Sequence, residues 1–231
     1  MTQTAVAKQE AALKQYESKD YGVAIEQDDI QIPSLILLQA GTDLSELADT
    51  PWKKGQFYDM ATDELLDKVE GLVVGYKVTA RLFGPKQQNG RADMIRFSSD
   101  GKHWDDSGDL ITPDEFKYRE DGEFAKKAFS YLIIRKGQEF PVMVTFKGAS
   151  AKNAKKLNSH LARMRPSFRS YFSFFSTHEE GDGNNWYEIH ALPQPKKVPD
   201  EKSLELASEM FNMIANTKVA NEELQEEAPE Y

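Results

Sequence analysis

In several stretches of this chain apolar residues recur every second position, the signature of half-buried strands. Val69–Phe83 (VEGLVVGYKVTARLF) carries it most clearly. Leu72, Val74, Tyr76, Val78, Ala80 and Leu82 alternate onto one face, and Gly71, Val73, Gly75, Lys77, Thr79, Arg81 and Phe83 onto the other. The first face reads as core. The second begins apolar or empty and becomes cationic and aromatic. Two glycines inside so long a strand predict strong bending, as a small barrel requires. After a turn over Gly84–Arg91, Met94–Phe97 reads as a return strand. Phe129–Arg135 and Phe140–Lys147 form a predicted hairpin, with Phe140, Val142, Val144 and Phe146 on one side. Arg169–His178 and Asn185–Leu192 pair about an EEGDGN turn. Gln56–Met60 reads as a short strand, and Ile30–Gln39, interrupted by Pro33, as an edge strand or extended arm.

Helical spacing appears three times. Residues 2–20 are rich in Ala, Gln, Lys and Glu but weakly amphipathic, and predict a loosely docked helix. Ala151–Met164, with Ser150 as N-cap and Pro166 as stop, places Ala154, Leu157, Leu161 and Met164 on one stripe. Asp200–Asn216 does the same with Leu204, Ala207, Met210, Phe211 and Ile214. Ser98–Glu123 is polar and acidic and reads as a long insertion loop with little regular structure.

The predicted organisation is an N-terminal helix or arm (1–29), a barrel domain (30–199) bearing the 98–123 insertion, a C-terminal helix (200–216) and a flexible acidic tail (217–231). The fold class is mainly β, an OB-like small antiparallel barrel with helical appendages, α+β overall. A different half-open barrel or an α+β sandwich fits the same pattern.

Charge sharpens the picture. Lys126–Arg169 holds eleven bases and the single acid Glu139, a net +10 in a 231-residue chain of net −9, so the remainder carries −19. Rings are threaded through and just beyond the stretch, including Phe129, Tyr131, Phe168, Tyr171 and Phe172. Cations for phosphates with rings for bases suit single-stranded nucleic acid. The phenylalanines on apolar faces read as core. Residues on the other faces or at strand ends are the candidate contacts: Lys77, Arg81, Phe83, Arg135, Lys136, Lys147, Lys152, Lys155, Arg169 and Tyr171. The last ten residues hold five Glu, a proline and terminal Tyr231; Glu226, Glu227, Glu230 and Tyr231 are candidates for docking on a partner or for competing with nucleic acid at the protein's own groove.

Other chemistries find little support. With no cysteine there is no disulfide, thiolate nucleophile or cysteine-held zinc. No apolar run reaches membrane-spanning length, and the first residues lack a signal-peptide core, so a cytoplasmic protein with no membrane contact is expected. His103, His160, His178 and His190 show no ligand spacing. His178, Glu179, Glu180 and Asp182 fall in a predicted hairpin turn, where acids are common. Pro199-Asp200-Glu201-Lys202 has the letters but not the spacing of a nuclease motif, and no phosphate-binding loop occurs. No catalytic residue, metal or cofactor is expected.

A β-barrel-like domain, a basic-aromatic face, a short acidic C-terminus ending in an aromatic, and the IPSLILLQA arm followed by GQFYD together resemble the bacteriophage single-stranded DNA-binding proteins of OB-fold type. The tail departs from the bacterial pattern by ending on Tyr231 and using Glu for Asp. The resemblance implies a non-enzymatic coat on single-stranded DNA in replication or recombination, with partner proteins recruited through the tail. Self-association stays open. The rival readings are a phage structural or interaction protein whose basic face meets an acidic partner and, less favoured, a metal-dependent nuclease.

Overall fold

The computed structural model describes residues 32–39, 51–86, 92–117, 122–181 and 183–226, with side chains to residue 215. The predicted helix over residues 2–20 lies outside them, as do most of the Gly84–Arg91 turn and the side chains of Glu226, Glu227, Glu230 and Tyr231.

The described elements are β1 (Ser34–Leu37), β2 (Phe57–Asp59), β3 (Glu64–Leu66), β4 (Lys68–Phe83), β5 (Met94–Ser98), β6 (Phe124–Arg135), β7 (Pro141–Phe146), α1 (Ala151–Arg163), β8 (Phe172–Gly181), β9 (Asn184–Pro193) and α2 (Glu201–Glu226). All nine strands join one sheet in the order β3-β2-β1-β7-β6-β4-β8-β9, with β5 also paired to β4. The sheet curls into a half-barrel. Its inner face buries Val69, Val73, Phe129, Tyr131, Ile133, Val144, Phe146, Phe172 and Phe174 against Ala154 and Leu157 of α1. At the far ends of the curl, the Tyr187 amide of β9 donates to Gln39 Oε1 (3.3 Å) and the Ser176 hydroxyl of β8 to the Gly55 carbonyl (2.6 Å). Gly55 has φ +89°, and a Cβ there would meet the Tyr187 ring at 2.4 Å, so only glycine serves at this closure.

Several expectations need correction. β1 is not an edge strand. It pairs antiparallel with β2 and parallel with β7, because Pro33 sits just before it and only its carbonyl is used, accepting from the Met143 amide (2.9 Å). β3 was not foreseen at all, and its three residues are too few to show a period.

The alternation read through the long strand also breaks. A bulge between Val73 and Gly75 adds one residue to β4, and one extra residue swaps every later side chain to the other face. Leu72 and Val74 therefore lie on the outer face with Ile134, Phe168, Tyr171 and Ala207 of α2, whereas Val78 packs on the inner core. Ala80 and Leu82 continue on that inner side, with Trp104, Ile111 and Ala125.

Two helical expectations change as well. Ser150 does stand before α1, but its hydroxyl makes no cap; it accepts the Ile189 amide of β9 (2.9 Å). The second helix runs to Glu226, beyond its predicted end at Asn216. Its apolar stripe lies along the outer face, and a Cβ on Gly75 would come within 2.9 Å of Ile214 Cδ1, so the missing side chain lets helix and strand approach.

The 98–123 insertion has little regular structure, as expected, but it is no bare loop. A bridge between His103 and Leu110 and a 3-10 turn over Pro113–Phe116 fold it around Trp104, which is 1% exposed. The Trp104 indole N–H donates to Glu115 (3.0 Å), and Asp100 accepts from the Lys102 and His103 amides (2.6 and 2.8 Å).

Candidate nucleic-acid interface

The ten candidate contacts do not form one patch. The register of β4 with its neighbours assembles the most coherent group on the outer face of the sheet, beyond Gly75. Lys77 stands opposite Ser130, Arg81 opposite both Lys126 and Phe97, and Phe83 opposite Phe124. Lys77, Arg81 and Lys126 are exposed. None of the three is paired with a carboxylate among the described residues, where Arg96, Arg135, Lys152, Lys197 and Lys202 all are. Two cations directly opposite on an antiparallel ladder repel each other, so this arrangement is not there to hold the strands together.

Rings border the cations. Phe83 and Phe124 stack with centroids 5.4 Å apart and planes 18° from parallel. The Lys126 ammonium lies 4.8 Å from the Phe124 centroid and 5.9 Å from that of Phe83, and the Arg81 guanidinium lies 5.9 Å from that of Phe97. Lys126, Phe97 and Phe124 were not among the sequence-derived contacts. Strand alternation could have placed Lys126 and Phe124 on one face, but only the β4–β6 register brings them beside Arg81.

The exposed cations of α1 lie elsewhere. The helix packs Ala154 and Leu157 on the inner face, so Lys155, Lys156 and Arg163 project away from the sheet on its other side. Lys147 is exposed where β7 leads into α1, and Arg169 is exposed just before β8. Lys136 sits at the β6–β7 turn with its ammonium 5.8 Å from the Tyr171 centroid. Arg135, which begins that turn, pairs with Gly71 of β4, ten residues from Arg81. At about 3.3 Å per residue that puts Lys136 roughly 30 Å from the Arg81 group.

Three candidates are committed to other work. Arg135 is not available to phosphate: its guanidinium binds the fully buried Asp59 and, at 2.7 Å, Glu64. Burial works against its charge, but the hydrogen bonds to Glu64 and Asp59 outweigh it and raise its pKa. Tyr171 is not a stacking platform. It is 3% exposed, packed between the outer face and α2, with its hydroxyl donating to Ser203 (3.3 Å). The Lys152 ammonium is held 2.9 Å from Glu188.

Glu188 anchors the one group among the described residues whose geometry suits a metal: one ligand atom each from Glu179, Glu188 and His190 falls within 4.8 Å of the others. The group is already satisfied internally. Glu188 is 1% exposed and accepts from Trp186 (3.1 Å) and Asn153 (3.2 Å) as well as Lys152, while the Thr177 hydroxyl bridges Glu179 (3.0 Å) and His190 (2.8 Å). Burial pushes the Glu188 carboxyl up, but its hydrogen-bond donors more than offset this and hold it below the usual range; burial lowers the His190 imidazole. Of His178, Glu179, Glu180 and Asp182, the structure brings His178 to Glu180 (3.8 Å), while the His178 ring packs on Tyr187 (5.1 Å) on the opposite face of the strand from Glu179; Asp182 lies outside the described residues.

No helix among the described residues is long and apolar enough to cross a membrane. The model of the Pam3 phage gp34-like protein family matches residues 2–220 of this chain. No curated protein and no solved structure matches it.

Proposed function

The chain belongs to this Pam3 phage gp34-like family, and from that premise we propose that it binds single-stranded DNA across the outer face of β5, β4 and β6. The observation that carries the reading is the unpaired cross-strand pair Arg81 and Lys126, flanked by Lys77 and bordered by Phe97, Phe83 and Phe124. Phosphates take the cations; the half-buried rings of Phe83 and Phe97 take bases, and the buried Phe124 stacks against Phe83. Such contact is sequence-tolerant and falls steeply with salt.

The strand plan supports an OB-type barrel. Counting β4, β6, β7, β8 and β9 as one to five, the sheet runs 3-2-1-4-5, with α1 between the third and fourth. That is a five-stranded Greek-key barrel left open between three and five, whose second and third strands and first loop commonly carry the ligand. Here β1 occupies the seam beside the third strand, and the folded 98–123 insertion occupies the first loop. In this reading the protein coats replication or recombination intermediates, and the acidic end of the chain competes with DNA or recruits a partner.

The test is fluorescence anisotropy of a labelled thymidine oligonucleotide of about 30 nucleotides, at low and moderate salt, with a duplex competitor and a gel check for cleavage. Submicromolar, salt-sensitive binding that prefers the single strand and leaves it intact is expected. Absence of binding at low salt overturns the reading and assigns the cations to an acidic protein partner; cleavage with magnesium or manganese returns the nuclease reading.

A further inference from the structure

The two cationic surfaces lie on different sides of the sheet, and this has a consequence for how many strands the protein holds. α1 contains four bases, counting His160 apart, and no acid over Ala151–Arg163. Lys152, Lys155 and Lys156 crowd into its first half, where the helix dipole favours anions, and no acid occupies its first turn. Lys152 and Lys156 are one turn apart, a like-charge spacing that weakens a helix. Glu188 relieves only Lys152; Lys155, Lys156 and Arg163 are exposed and unpaired among the described residues. Cations set against helix electrostatics, with no acid mixed among them, are placed for an external anion.

That anion cannot be the segment bound at Arg81. Ala154 and Leu157 fix α1 to the inner face, whereas Lys77, Arg81 and Lys126 project from the outer face with the half-barrel between. A short extended strand lying on one surface does not touch the other.

We propose that α1 is a second nucleic-acid face and that one protein molecule holds two single strands at once, one on α1 and one on the outer strip. This rests on the single-strand-binding reading above. The two faces differ in chemistry. The outer strip offers rings and cations; the exposed side of α1 offers Lys155, Lys156, Ser159 and Arg163 without an aromatic ring. Contact on α1 is therefore to phosphate alone, and it is the first to be lost as salt rises.

Energy transfer between two non-complementary thymidine 12-mers, one carrying donor and one acceptor, tests this alongside anisotropy of each alone. Wild-type protein is expected to bind either oligonucleotide and to bring the two together at low salt, with energy transfer vanishing at a lower salt concentration than anisotropy. Lys155→Glu/Lys156→Glu and Arg81→Glu/Lys126→Glu are each expected to keep binding one oligonucleotide and to lose energy transfer. The neutral pair Lys155→Gln/Lys156→Gln, checked by thermal melting, is expected to repeat the loss without charge reversal. Anisotropy without energy transfer in the wild type overturns the proposal and leaves single-strand binding intact. Energy transfer that survives in both α1 variants also overturns it, because self-association through the outer strip then does the bridging. No anisotropy change at all overturns both readings.

Discussion

Arg81, Arg135 and Tyr171 look alike in the sequence: each is a cation or ring near a strand end in a basic region. Their surroundings set them apart. Arg81 faces solvent beside another cation; Arg135 neutralises the buried Asp59; Tyr171 fills the space beneath α2. Arg81→Ala/Lys126→Ala is expected to leave the melting temperature nearly unchanged and to reduce the salt slope of oligonucleotide affinity by about 1.4, two phosphate contacts at about 0.7 each. An unchanged slope measured by anisotropy would remove both residues from the interface. Arg135→Met does the opposite. It strands Asp59 without its partner and is expected to cost about 3–5 kcal/mol in urea unfolding, much of it recovered in Arg135→Met/Asp59→Leu, where no lone charge stays buried. Equal losses in the single and double variants would show that packing, not charge, is the cause. Composition and alternation identify what a residue is and which way it points relative to its near neighbours. They do not say whether an acid from a strand some seventy residues away, here Asp59 or Glu64, has already claimed it.

Among the elements, those with long regular patterns were legible: β4, the β6–β7 and β8–β9 hairpins, α1 and the stripe of α2. What defeated the pattern was local. The single added residue at the β4 bulge moves Leu72 and Val74 under α2 while keeping Val78 in the inner core, and an alternating string gives no sign of it. Even so, Lys77, Arg81 and Phe83 lie on the same side of the bulge, so the cationic face itself could be read. The insertion itself was legible, but its internal fold around Trp104 was not, because backbone turns and one ring, rather than a period, hold it. Its legible signal was a tryptophan in an otherwise polar run. Trp104→Ala is expected to remove about 3–5 kcal/mol of local stability and to release amides 98–111 in hydrogen-exchange mass spectrometry while those of β6 and β7 stay protected. Loss of protection throughout would make the insertion part of the barrel's own folding unit.

The joint between α1 and β9 predicts a pH response. Glu188 has a lowered folded pKa, so its contribution is present above its unfolded value of about 4.3 and is lost as pH falls through the folded value. His190 also has a lowered pKa, so the folded state resists a proton that the unfolded chain accepts below about 6.5, and stability falls as pH drops from there. Both effects have the same sign, and His190 acts first. Urea midpoints should decline between pH 7.5 and 5.5, and His190→Gln should flatten that decline while leaving the steeper loss near pH 4.

For the whole molecule the question is how a chain of net −9 attracts a polyanion. The −19 outside the basic stretch opposes approach at long range, and the cations act only within about a Debye length, some 10 Å at 0.1 M salt. The five glutamates of residues 222–231 are the acids a polyanion most resembles, and they fall in the last turn of α2 and beyond it, a helix that lies along the same outer face as the Arg81 group. Ile214 packs at Gly75, so α2 has twelve further residues, about 18 Å of helix, through Glu226. Deleting Glu222–Tyr231 changes the net charge to −4 and is expected to leave oligonucleotide affinity unchanged or to raise it at low salt, with any gain disappearing as salt screens the competing charge. Because the deletion touches none of the cations, the salt slope should keep the contribution of Lys77, Arg81 and Lys126 whichever happens to affinity. Weaker binding by the truncated chain, with an unchanged melting temperature, would instead make the acidic end part of the binding surface or of an assembly that binding requires.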